Sequence, residues 1–256
     1  MRSLLAFIKK EFTEHLRCAR LMITLALFVL LGIMNPAVAK LTPWLLEVLA
    51  DSLAESGMTV TVVNVSALDS WVQFFKNMPV GLIAFVLLYG SVFTKEYSSG
   101  TLLLSLTKGF ERYKVVVAKA VTLVIIWSLG YWLCYGITYF YNAYFWDNGV
   151  AHNLLFSALC WWLFGMLVIS LITVCSTLSS SNTGVLLSIG SFVFGCSVVS
   201  AIPKAGKYLP TMLTDGNSLI YASLKAEDYI ASLVITAVLT IVFFVISIPI
   251  FNKKHL

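Results

Sequence analysis

The sequence predicts an all-α polytopic membrane protein with six transmembrane helices, and three observations carry that expectation. Hydrophobic residues make up 59% of the 256 positions and charged residues 11%, against about 45–50% and about 25% in a soluble domain. The mean hydropathy is +0.91. Long stretches contain no Asp, Glu, Lys or Arg: Leu21 to Ala39 (19 residues), Asn77 to Thr94 (18), Ala120 to Trp146 (27), Asn148 to Pro203 (56) and Tyr229 to Asn252 (24). About 20 apolar helical residues cross the hydrocarbon core, so the longest stretch holds two helices. The polar tetrapeptide Ser179-Ser180-Ser181-Asn182 supplies its break. The expected spans are therefore 21–39, 77–94, 120–146, 153–178, 184–202 and 229–250, in a single domain covering 1–256.

Before the first span, Leu5, Ile8, Phe12 and Leu16 recur at spacings of three and four, while Lys9, Lys10, Glu14 and Arg17 occupy other faces. Residues 1–20 are thus expected to lie as an amphipathic helix on the membrane surface. The first apolar run begins late, is long, and is not followed by a small-residue cleavage site, which argues against a cleavable signal peptide.

Orientation follows from the basic residues. With both termini cytoplasmic, the inside set holds 12 of them: Arg2, Lys9, Lys10, Arg17, Arg20, Lys95, Lys108, Arg112, Lys114, Lys119, Lys253 and Lys254. Only five (Lys40, Lys76, Lys204, Lys207 and Lys225) fall outside, the asymmetry expected of cytoplasmic termini. The formal charge of +5 then reflects topology, and no continuous basic face points to nucleic acid. On the outside, 40–77 is expected to carry a helix starting at Thr42-Pro43 and stopping at Gly57, followed by an apolar face of Trp71, Phe74 and Phe75. The segment 203–228, with its prolines and glycines, reads as short helices or a re-entrant hairpin.

Several chemistries are excluded or disfavoured. The only Gly-Lys pair, Gly206-Lys207, lacks the glycine of a phosphate-binding loop, so no nucleotide or metal cofactor is expected in this chain and no catalytic residue is assigned. The spans as bounded lack ionisable groups, which disfavours proton-coupled transport. His15, His152 and His255 read as interfacial polar residues. The five cysteines, four of them within apolar runs, read as free thiols. Asn64-Val65-Ser66 matches a glycosylation acceptor by chance.

The loop 95–119 has a different character. Thr101 to Leu106 is a short amphipathic element between Gly100 and Gly109, followed by a basic helical lead into span three. An apolar knob on a charged collar suits docking in a partner's groove; on spacing alone, a basic loop resting on anionic lipid fits equally well. Two patterns lie within the spans. Trp127, Tyr131, Tyr135 and Tyr139 recur every four residues in a stretch with ten aromatics in twenty positions. They read either as a wall for an amphipathic cargo or as packing between helices. Gly184, Ser188, Ser191 and Gly195 form a small-residue stripe that allows close helix approach within or between protomers.

The pattern Glu-x-x-x-Gly-Thr-Leu at Glu96, Gly100, Thr101 and Leu102, with Leu106, Arg112 and Lys119 following, resembles the loop of ABC-2 type transporter permeases. The opening Lys9-Lys10-Glu11-Phe12, the closing Phe251-Asn252-Lys253-Lys254 and the six-span layout are similar to that family as well. Gly109 departs from it, standing where the family often has proline. The resemblance implies a bacterial cytoplasmic-membrane subunit that pairs with a second copy or paralogue and is driven by a separate ABC ATPase subunit, which holds the ATP and Mg. It makes 1–20 an elbow helix and 95–119 a coupling loop, with Glu96, Gly100, Thr101, Leu102, Leu106 and Arg112 coupling to the ATPase. Within the family the chain is similar to membrane subunits that export amphipathic peptides such as phenol-soluble modulins. The expected function is export of an amphipathic or hydrophobic substrate, peptide favoured; the alternative is a non-transporting immunity or sensor protein that binds a peptide.

Overall fold

The computed structural model describes residues 2–48, 64–98, 100 and 111–254, and within them every regular element is helical. The helices are α1 Arg2–Arg17, α2 Arg20–Val48, α3 Ala67–Tyr89, α4 Thr94–Ser98, α5 Arg112–Phe145, α6 Leu154–Leu178, α7 Asn182–Ser200, α8 Pro203–Gly206, α9 Gly216–Ile220 and α10 Ile230–Lys253. Short 3-10 turns occupy Asn148–Val150, Pro210–Thr214 and Ala226–Tyr229. Among the described residues six helices, α2, α3, α5, α6, α7 and α10, are long and apolar enough to cross a membrane.

The helices overrun the charge-free stretches. α5 has 34 residues, about 51 Å at 1.5 Å per residue, against a hydrocarbon core of about 30 Å. Charges mark where lipid ends; the helix ends where its backbone bonding stops. α3 accordingly begins at Ala67, ten residues before the first charge-free position. The Ser66 backbone N–H donates to the Asp69 carboxylate at 2.8 Å and so caps its first turn.

One expectation is corrected. Thr42-Pro43 does not start a new helix, because α2 runs unbroken from Arg20 to Val48 with Pro36 and Pro43 inside it. A proline in a helix frees the carbonyl four residues earlier. For Pro36 that carbonyl belongs to Gly32, and the Thr138 hydroxyl of α5 donates to it at 3.1 Å. A neighbouring span thus satisfies the backbone group that lipid cannot. Gly57, the expected stop, lies outside the described residues.

α6, the most enclosed span, packs against α5, α7 and α10, while α2 packs on α3 and α5. Close approach is set by two glycines. A Cβ on Gly130 would stand 2.6 Å from the Phe28 ring, and one on Gly165 would overlap the Trp127 indole. α7 and α10 are peripheral, with most of their surface unburied.

Both termini sit on one side. Phe7 of α1, Phe93, Val115 and Phe251 form a small buried cluster there, and the Arg112 guanidinium donates to the carbonyls of Asn252 at 3.1 Å and Lys254 at 2.7 Å. On the opposite side the turn Asn148–Val150, α8, α9 and the remaining short turns form a cap. The Trp161 indole donates to the Thr214 carbonyl at 2.7 Å, and the Tyr229 hydroxyl to the Asp215 carbonyl at 2.8 Å. The segment 203–228 is therefore a set of short helical turns.

Candidate functional site

The root of the loop 95–119 meets the N-terminal helix at a buried cluster of charges. α1 packs against α5 and α2. The face it buries is Phe7, Glu11 and His15, spaced by four, whereas Leu5 is 66% exposed. Its apolar stripe of Leu5, Ile8, Phe12 and Leu16 thus borders this protein-facing row, as expected of a helix at a membrane surface. The Lys119 ammonium, 2% exposed, donates to the Glu11 carboxylate at 2.8 Å and stands 3.0 Å from the Glu96 carboxylate. Lys10 approaches Glu11 at 3.3 Å, Glu14 at 3.5 Å and Glu96 at 3.6 Å.

The pairing sets the charge states. Burial alone would raise the Glu11 pKa, but Lys119, through its charge and hydrogen bond, and then Lys10 hold it below the usual carboxylate value. Burial works against the Lys10 ammonium, yet Glu11, Glu96 and Glu14 keep its pKa above the ordinary lysine value. Glu11, Glu14 and Glu96 lie close enough to share a cation, and the two lysine ammoniums already fill that role. His15 is corrected from an interfacial residue to a core one. It is 4% exposed and edge-on to the Tyr89 ring at 5.3 Å. Burial, reinforced by the Lys119 and Arg20 charges, pushes its pKa down to about 4 against the pull of Glu11 and Glu14.

Glu96 is one of the residues that the resemblance assigns to coupling with the ATPase. In the structure it pairs within the chain, with Lys119 and Lys10. Gly100, just beyond, has φ +68, a left-handed conformation that glycine adopts without strain. Thr101, Leu102 and Leu106 lie outside the described residues. Arg112 holds the C-terminal carbonyls, and Lys254 reaches the Ser179 carbonyl at 2.9 Å. The loop's root, the last span and the turn after α6 are therefore tied together.

The aromatic stripe of α5 changes character along its length. Trp127 and Tyr131 are fully buried; the Trp127 indole donates to the Trp162 carbonyl at 3.3 Å and the Tyr131 hydroxyl to the Ala158 carbonyl at 2.7 Å. These two side chains bind α5 to α6. Tyr135 is partly buried against Trp71, and Tyr139 is 41% exposed. In the small-residue stripe, Ser188 and Ser191 are exposed, Gly184 and Gly195 are half-buried, and no atom approaches a Cβ position on Gly195. Within one protomer, that face of α7 is largely uncovered.

Sequence reading missed a chain of polar contacts joining three spans. The Asn77 amide donates to Asn35 at 2.8 Å, and the Asn35 amide to the Thr138 hydroxyl at 3.1 Å. Asparagines in otherwise apolar runs were its signal, since such groups are kept in a membrane only when partnered.

Six membrane-length helices, a helix lying beside them at the terminal side and a loop root locked by buried charge define a polytopic helical membrane domain. The chain belongs to the ABC-2 family of transporter proteins, whose family model (ABC-2 family transporter protein) matches residues 5–256. A comparison with curated proteins finds no match.

Proposed function

We propose that this chain is the transmembrane permease subunit of an ABC exporter, with both termini cytoplasmic. A separate ATP-binding subunit docks on the loop between α4 and α5, and the cargo is amphipathic or hydrophobic, with a peptide favoured. The observation that carries the coupling reading is the buried bridge Glu11–Lys119–Glu96. It joins the interfacial helix, the loop's root and the third span through one ammonium group. A buried ion pair resists separation because breaking it strands a charge, at about 3–5 kcal/mol. A push on the loop then moves α1 and α5 together, the kind of two-state element that transmits a distant event.

Membership of a transporter family and the 12 to 5 basic asymmetry support the orientation and the ATP-driven role. A second copy or paralogue seats on the uncovered small-residue face of α7, where Gly184 and Gly195 permit close backbone approach. The test is co-purification of the chain with any P-loop protein encoded beside it, followed by ATP hydrolysis measured with and without amphipathic peptide. A stable complex whose hydrolysis rises with peptide supports the reading, and a chain that recruits no ATPase refutes it.

A further inference from the structure

A groove of about 670 Å³ opens on the side opposite the termini, between α3, α6, α7 and the cap. That volume is in the range of small-molecule sites. Its deep wall is apolar, with Phe75 and Ile83 of α3, Phe164 of α6 and Val193 of α7. Phe75 to Ile83 spans eight residues, so the wall is roughly 12 Å deep. Ile83 is 59% exposed, which leaves the groove open to lipid.

Polarity rises toward the mouth, where Lys207, Thr211, Asp215 and Asp228 stand. Lys207 makes no ion pair among the described residues. Asp215 accepts from Ser218 and Asp228 from the Lys225 backbone, each retaining lone pairs for a further donor. At the cap end of α7, Ser197 and Ser200 donate to the carbonyls of Val193 and Ser197, and the Trp161 indole donates to Thr214. The wall of Phe75, Ile83, Phe164 and Val193 offers an extended peptide no side-chain partner for its amides; a hydrocarbon chain requires none.

We propose that this groove binds an amine-headed zwitterionic phospholipid of the leaflet opposite the termini. One acyl chain lies along Ile83 and Val193, the phosphate meets Lys207, and the ammonium meets Asp215. The apolar depth and two-signed mouth match that amphiphile end to end. The proposal stands apart from the transport reading, since it needs neither an ATPase nor a cargo.

The test uses the full chain in nanodiscs doped with a phosphatidylethanolamine carrying a diazirine at the end of one acyl chain, with crosslinks mapped by mass spectrometry. Labelling is expected around Ile83 and Val193 at about tenfold the level on the lipid-exposed α10 face at Val238 and Ile241. Filling the groove with Val193→Trp removes that excess. Lys207→Gln and Asp215→Asn, both surface changes that keep the fold, each lower it about fivefold, roughly the effect of one charge at a membrane surface. The same diazirine on phosphatidylglycerol labels several-fold less. Uniform labelling of all exposed apolar faces, indifference to headgroup, or unchanged labelling in all three variants would overturn the proposal. Displacement of the lipid by an equimolar amphipathic helical peptide would also overturn it, making the groove a cargo site.

Discussion

The Lys119 ammonium and the Glu11 carboxylate meet at 2.8 Å with both side chains nearly inaccessible to solvent, and they come from elements 108 residues apart in the chain. Removing Lys119 leaves the Glu11 and Glu96 carboxylates to share the half-exposed Lys10 ammonium. Lys119→Met should therefore destabilise the folded chain by about 3–5 kcal/mol, and the double change Lys119→Met with Glu11→Gln should recover much of that loss. Thermal unfolding in detergent, followed by tryptophan fluorescence, reads both variants. Equal stabilities of single and double variants would show that the pair is not coupled.

His15 makes stability depend on pH. Its pKa falls from an ordinary 6.5 to about 4 on folding, so between those values the unfolded chain holds a proton that the folded chain does not. Stability is therefore complete above pH 6.5 and is lost as pH falls toward 4, by up to roughly 3 kcal/mol. His15→Phe, which keeps a ring against Tyr89, should flatten that part of the profile. The check is the melting temperature across pH 4 to 8 for both forms.

Gly165→Ala tests how closely α5 and α6 approach. The added methyl overlaps the Trp127 indole, a fully buried ring with no room to retreat, and overpacking of this kind costs about 1–3 kcal/mol. Gly136→Ala, in the same helix as Trp127 but with nothing near its Cβ position, should be neutral or slightly stabilising. Equal melting temperatures for the two would contradict the packing described.

The tyrosines of α5 should separate by role. Tyr131→Phe strands a buried bond to Ala158 and should cost about 1 kcal/mol of stability. Tyr139→Phe at the exposed end should leave stability unchanged, and any effect it has on export would place it on the cargo route. Expression-normalised export and melting temperature of both variants make the comparison.

The spans were legible because lipid enforces a long apolar signal, and the Ser179–Asn182 break stood out as the one polar interruption in 56 residues. Less was legible wherever a charge or proline carried a tertiary meaning. Lys119 sat one residue before a charge-free run and read as a flank, yet the fold buries it. Pro43 reads as a helix start because proline suits the first position of a helix, yet α2 continues through it. His15 reads as an interfacial residue because the more obvious stripe, through Leu5 and Leu16, runs beside the buried row of Phe7, Glu11 and His15. Gly100 was readable as a turn, since its left-handed backbone is a local property of glycine. The partners of Glu96 were not, because they lie on helices distant in sequence.

The most direct test of the account is ATP-driven movement of peptide by the chain and its ATPase in sealed inside-out vesicles, compared with the same complex carrying Leu102→Asp. The account predicts uptake of an amphipathic peptide that requires ATP, and its loss in the variant while the permease remains inserted and folded. Saturable peptide binding with no ATP-dependent uptake would contradict it and assign the chain to peptide sequestration.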